Sequence, residues 1–289
     1  DIDGDTIWTP EHIYIVDNDV TVIQGVSLKI DAGTIVKFAQ YADLTIRGAL
    51  QVNELPPVYY VCVPLLLKRY DAASAPVGGP PSLPMALPTV PPPDPLVVLT
   101  SLNDDSAGGD TNEDGDATMP VMGDWGSITF EEGSDDANSY MRRFAIRYSG
   151  RSTSGLQRGA ILLENASPSL LREGQFSDNY LNGIEIQRSN WQTDRWSVTD
   201  IAYHITGDVT VPRANTLSID PGVVLKFAAG KQIKVLGTLQ AVGAPGRPVL
   251  MTSIVDDTAL GDTNGDGIVD AFDMNVFDAG SLNETMRPD

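Results

Sequence analysis

Short apolar runs in this chain alternate with polar positions at a period of two. VTV (20–22), SLKI (27–30), TIVKF (34–38), LTIRG (44–48) and ALQV (49–52) are rich in Val, Ile and Thr. Each is too short for a helix and is bounded by Gly, Asn or Asp, the pattern of strands that bury one face. The middle of the chain continues less regularly, with GSITFEE (126–132), RRFAIRYSG (142–150), GAILLENAS (159–167), REGQFSDN (172–179) and NGIEIQRS (182–189). The step from Gly159 to Gly183 is close to one circuit of a repeat whose coils bury their faces only by stacking.

The pattern is also duplicated. Asp19–Val52 recurs as Asp208–Val242 at an offset of 189, and DDSAGGDTNEDGD (104–116) recurs as DDTALGDTNGDGI (256–268). These features predict an all-β chain, a parallel β-solenoid with loop insertions. A β-sandwich also has many short strands. Hairpin signals between matched strands are scarce here, and small, Asn-rich corners recur (ENASPS, SDNYLNG), which favours the solenoid.

Four segments follow from this pattern. Residues 1–52 start the first block, 53–97 are an insertion, 98–194 hold further coils with the first acidic loop, and 195–289 are a second, incomplete block. The offset from Val52 to Asp104 is 52, whereas that from Val242 to Asp256 is 14. The extra material runs from the apolar VYYVCVPLLL (58–67) into APVGGPPSLPMALPTVPPPDP (75–95), whose nine prolines favour an extended polyproline-like arm. A surface loop folded back on the coils, an arm packed on a neighbouring subunit and an error in the sequence all remain open for it. The second acidic loop lacks the GDWG segment that follows the first, which suggests that the polypeptide continues past Asp289.

Acidic residues outnumber basic ones by 39 to 19, for a net charge of −20. Nucleic acid and anionic membranes would be repelled, and bound cations favoured. No apolar run approaches the length of a membrane-spanning helix, so membrane insertion is not expected. Cys62 is the only cysteine and sits in an apolar run, where it packs rather than reacts.

The acidic loops carry the clearest chemistry. In the second, Asp262, Asn264, Asp266, Asp270 and Asp273 place side-chain oxygens at positions 1, 3, 5, 9 and 12. Gly267 stands at 6, and Ile268 offers a carbonyl at 7. Calcium takes six to eight hard oxygen ligands, and this spacing wraps the chain around one ion. In the first loop Asp110, Asn112, Asp114 and Asp116 fill positions 1, 3, 5 and 7 around Gly115. Thr118 and Val121 fall at 9 and 12, so closure must come from elsewhere. Asp104, Asp105 and Asp124 are at hand, and spacing does not choose among them.

The second loop resembles calcium loops of EF-hands and, with Asp at the last position, of dockerins. A dockerin needs two such loops in tandem, and one follows Val242. The combination of DVTV, L-x-I-x-x-G-x-x-x-K-F, TS-x-x-DD, GDTN-x-DG and GDWG resembles secreted bacterial proteins with right-handed parallel β-helix repeats, in the pectin-lyase-like fold group. That resemblance makes the solenoid a right-handed parallel β-helix and implies an extracellular or cell-surface setting. Its members include lyases and hydrolases of polysaccharides, adhesins and structural stalks, so fold does not decide activity.

Catalysis by such a fold needs grouped carboxylates with an Arg or Lys base. Arg142, Arg143, Arg147, Glu164, Glu173, Asp178 and Glu185 are the candidates, and no motif distinguishes a pair among them. Neither His12 nor His204 lies near a Ser or Cys motif. Trp8, Trp125, Trp191 and Trp196 suit sugar stacking or packing, and Trp8 and Trp196 open the two copies, which favours packing. Tyr140, Tyr148 and Tyr180 are undecided. The expectation is a calcium-stabilised structural and adhesive component rather than an enzyme, with copies of itself end to end or surface polysaccharide as partners. A polysaccharide-binding or polysaccharide-degrading β-helix is the alternative.

Overall fold

A computed structural model describes residues 1–54, 94–115, 117–152, 154–187 and 194–268. Nearly all regular structure is β, because the apolar runs are short and Gly, Asn or Asp interrupts them before a helix could nucleate. The first strands are β1 (Thr6–Trp8), β2 (Ile13–Val16), β3 (Val20–Val22), β4 (Ser27–Ile30), β5 (Ile35–Phe38), β6 (Leu44–Ile46), β7 (Ala49–Val52) and β8 (Val97–Ser101). Then come β9 (Ile128–Phe130), β10 (Tyr140–Arg147), β11 (Gly159–Leu163), β12 (Leu170–Ser177) and β13 (Leu181–Ile186). The last are β14 (Asp194–Trp196), β15 (Tyr203–Ile205), β16 (Val209–Val211), β17 (Thr216–Ile219), β18 (Val224–Phe227), β19 (Ile233–Val235), β20 (Thr238–Ala241) and β21 (Leu250–Ser253). A single 3-10 turn, Asp136–Asn138, is the one helical element among the described residues. No helix among them is long and apolar enough to cross a membrane.

Every pairing between these strands is parallel. A parallel partner requires a long crossover, and here the crossover consists of other strands. Thr6 faces Leu28, Ile13 faces Ile35, Val20 faces Leu44 and Ser27 faces Ala49, so the chain returns beside itself at a near-constant offset. Where residues intervene the register survives. Ile35 faces Val98 across the insertion, and Leu44 faces Ile128 across the insertion and the first acidic loop. The extra chain therefore leaves the pairing of the flanking strands intact.

The core follows from the alternation. Val22, Leu28, Ile30, Val36, Phe38, Leu44, Ile46, Leu50 and Val52 are buried, and most stack on an apolar residue one circuit on, such as Leu28 on Leu50 and Ile30 on Val52. Each such side chain contributes roughly 1.5–3 kcal/mol by leaving water. Trp125 extends the stack, with its ring 4.0 Å from that of Phe38 and its Nε1 donating to Arg147 O at 2.7 Å.

The duplication reaches further upstream than Asp19 and Asp208. Trp8 faces Ile30 and Trp196 faces Ile219, and these two isoleucines are equivalent in the two copies. The tryptophans stack on Tyr14 and Tyr203, at 4.8 and 5.4 Å. Those tyrosine hydroxyls accept hydrogen bonds from Thr9 N and Val198 N. The one-residue slip between the tryptophans is thus absorbed in the corner. The sheet β3-β6-β9-β11-β13 runs on into β15-β18-β21, although β15 is the counterpart of β2 rather than of β3. The second copy is therefore turned by one sheet relative to the first.

Candidate metal centre

The first acidic loop joins β8 to β9 and is held by carboxylates that do not face its centre. Asp104 accepts from Thr100 Oγ1 at 2.6 Å and from Ser106 N at 3.2 Å, and pairs with Arg147 at 3.5 Å. Asp124 accepts from Ser101 Oγ at 2.7 Å, Asn103 Nδ2 at 3.3 Å and Val121 N at 3.1 Å. Of the three residues that spacing left open, these two are occupied in stapling the turn.

Asp105 is not so occupied. One carboxylate oxygen each from Asp105, Asp110 and Asp114 lie within 4.8 Å of one another. The loop backbone shapes this group. Asp110 accepts from Asp114 N at 3.2 Å and Gly115 N at 2.9 Å, and Asn112 Nδ2 donates to Asp114 at 2.9 Å. Gly115 turns at φ +66°, a left-handed conformation that a side chain would strain. Asp105 Oδ1, Thr111 Oγ1, Asn112 Oδ1 and Asp114 Oδ1 are shielded from solvent with no hydrogen-bond partner. A buried oxygen left without a partner costs about 1–3 kcal/mol. A cation coordinated by such oxygens offsets that cost and the mutual repulsion of the carboxylates. Carboxylate, amide and hydroxyl oxygens without nitrogen or sulfur suit a hard ion of the calcium type. Asp116 lies outside the described residues.

The second loop repeats the staple and the turn, but among the described residues three carboxylates converge only in the first. Asp256 accepts from Thr252 Oγ1 and from Thr258 N, as Asp104 does from Thr100 and Ser106. Asp262 accepts from Gly265 N at 2.7 Å and Gly267 N at 3.0 Å, and Asn264 Nδ2 donates to Asp266 at 2.7 Å. Thr263 Oγ1 and Asn264 Oδ1 are buried without partners, as their counterparts Thr111 and Asn112 are. Ile268 is exposed, and its N–H donates to Asp266 at 2.8 Å. Asp270 and Asp273 lie outside the described residues, as does the short helix expected after them.

The loops share one side of the molecule. Asn182 N donates to Thr263 O at 2.7 Å, which docks the second loop on the start of β13. A Cβ on Gly265 would stand 2.6 Å from Asn179 O and 3.4 Å from Met122 at the end of the first loop. Tyr180 lies beside both loops: a Cβ on Gly123 would meet its ring, and one on Gly265 its carbonyl oxygen.

The catalytic candidates do not form one group. Arg142 and Arg143 reach Asp94 and Glu173, so they clasp the point where the insertion rejoins β8. Arg147 serves Asp104. Glu185 is buried, accepts from Gly159 N at 2.7 Å and from Thr206 Oγ1, and its carboxyl is pushed up by burial. Glu164 lies just past β11, and Asp178 is exposed at φ +57° beyond β12. His204, opposite Glu185 and Lys226, is wholly buried. Burial and the Lys226 ammonium hold its imidazole down to about 3. His12 is exposed beside Tyr14. Tyr140 and Tyr148 are half-buried, and burial raises both phenols. Trp125 and Trp196 are buried and Trp8 packs against the core, so these three serve packing. Trp191 and Cys62 lie outside the described residues.

Sequence reasoning missed two residues of this region. Lys37 and Lys226, in β5 and β18, are fully buried beneath the two loops. Their signal was a lysine in both copies of an otherwise apolar strand, IVKF and VLKF. Comparison with protein-family models, with curated proteins and with solved structures found no match to this chain.

Proposed function

We propose that this chain is a right-handed parallel β-helix, extracellular or displayed at a cell surface, that acts as a calcium-stabilised structural and adhesive component. The partnerless Thr and Asn oxygens repeated in two loops related by the duplication, with the converging carboxylates of the first, carry this reading. One such loop could be an accident of sequence, but two retain the same Asp, Asn and Thr positions. The near-constant offset between facing strands supports the helical winding. Asp105, Asp110, Asn112 and Asp114 would hold one ion, and Asp262, Asn264 and Asp266 with the Ile268 carbonyl the other. Each bound ion supplies two positive charges that order an otherwise self-repelling loop. Asp116, Asp270 and Asp273 are further ligands in this proposal.

Stacking of copies end to end fits the strands at the two ends. Among the described residues, β1 and β2 pair with a strand on one side only, as do β19, β20 and β21. Val235 and Leu236 are exposed, whereas Ile46, the counterpart of Val235, is buried beneath β9. Ions are counted by calorimetric titration of metal-free protein with calcium. About two sites support the reading, and no heat and no change in melting temperature would contradict it. Cleavage of an acidic glycan, abolished in Arg147→Ala or Glu164→Ala, would replace it with the polysaccharide-degrading alternative.

A further inference from the structure

We propose that Lys37 and Lys226 are the positioning residues of the two acidic loops, each a built-in cation that fixes its loop over the sheet before any exchangeable ion arrives. Lys37 Nζ donates to Gly109 O at 2.7 Å, and Lys226 Nζ donates to Gly261 O at 3.0 Å. These carbonyls belong to the residues immediately before Asp110 and Asp262, the first ligand position of each loop. The strand context explains how a lysine comes to be there. Val36 and Phe38 point into the core, so Lys37 stands on the outer face of its strand. An outer position is ordinarily wet, yet Lys37 and Lys226 are both 0% exposed because the loop lies across them.

A buried ammonium is costly without a negative environment. Burial lowers the affinity of Lys37 for its proton, and Asp105, Asp104 and Asp110 oppose that effect. Burial acts likewise on Lys226, opposed by Asp257, Asp256 and Asp262. Loop and lysine are therefore mutually dependent. The carboxylates make the buried charge tolerable, and the charge fastens a loop that would otherwise repel itself. The arrangement occurs twice at equivalent positions, which an incidental buried lysine would not do.

The test compares the wild-type chain with Lys37→Met and Lys226→Met, which keep side-chain length and remove the charge and the donor. Amide hydrogen exchange is followed in chelator, without divalent ions. Loss of one charge-assisted hydrogen bond corresponds to roughly tenfold in a local opening equilibrium. Lys37→Met is therefore expected to speed exchange about tenfold in residues 104–124 while residues 256–268 and the strands stay protected, and Lys226→Met to do the reverse. Calcium titration of the same variants should show one of the two sites weakened about tenfold, at the loop that lost its lysine. This second arm rests on the calcium reading, and the first does not. Loop-specific loss of protection in a protein that binds no calcium would uphold the lysine clamp and reject the calcium sites. Unchanged protection, or equal loss in both loops, would overturn the clamp. If either Met variant unfolds, Lys37→Gln and Lys226→Gln keep an uncharged donor. Unfolding of those as well would overturn the proposal, because the lysines would then hold the sheet rather than the loops.

Discussion

His204 should make this protein acid-labile by a calculable amount. Its side chain is wholly buried on β15, between Glu185 of β13 and Lys226 of β18, and neither ring nitrogen has a well-formed hydrogen bond. The unfolded imidazole takes up its proton near 6.5, the buried one only near 3. Below 6.5 the unfolded chain thus binds a proton that the folded chain refuses. The stability present above 6.5 is lost progressively as pH falls towards 3. At pH 4.5, two units below the unfolded value, the loss from this one residue is about 3 kcal/mol. His204→Leu has similar bulk, does not titrate and leaves no orphaned nitrogen. Denaturant unfolding of both proteins in chelator, from pH 7 to 4.5, isolates the term as the difference between their free energies. Other carboxylates titrate in both proteins and largely cancel. Glu185 is the neighbour that could couple, and its raised carboxyl acts with the opposite sign, weakening the fold as pH rises. Repeating the pair in a Glu185→Gln background removes it. The difference should shrink by about 3 kcal/mol towards pH 4.5. A flat difference in both backgrounds would refute the claim that a neutral imidazole is locked in the core.

Three further predictions concern single residues. Gly265→Ala puts a methyl 2.6 Å from Asn179 O at φ +68°, so the second loop should lift from β13 and its ion affinity should fall about tenfold, read by calorimetry against an unchanged first loop. Phe38→Ala removes the ring stacked on Trp125 and should cost about 3–5 kcal/mol in denaturant unfolding, with a shift in tryptophan fluorescence. Asp110→Asn and Asp262→Asn each remove one carboxylate charge while keeping an oxygen, and each should weaken calcium at its own loop alone in a two-site titration.

Much of this structure was legible in sequence. The period-two runs marked the strands, and the offset of 189 revealed the duplication, because each strand needs only a few apolar residues and a turn. The second copy's turn by one sheet was not legible. It depends on how much chain β10 to β13 take up before Tyr203, and no local motif records that. The role of Asp105 was also hidden. Asp104, Asp105 and Asp124 are chemically alike, and only the fold shows that Thr100, Ser101, Ser106 and Arg147 occupy two of them. The buried lysines were concealed by the alternation itself, which assigns Lys37 to an outer and apparently wet face. A loop from beyond the insertion, far along the chain from β5, covers that face.

Anomalous diffraction from crystals grown in calcium tests the central claim most directly. The account predicts one peak per loop, within about 2.3–2.6 Å of oxygens of Asp105, Asp110, Asn112 and Asp114 in the first and of Asp262, Asn264 and Asp266 in the second. Loops ordered around water, with no peak at either position, would contradict it.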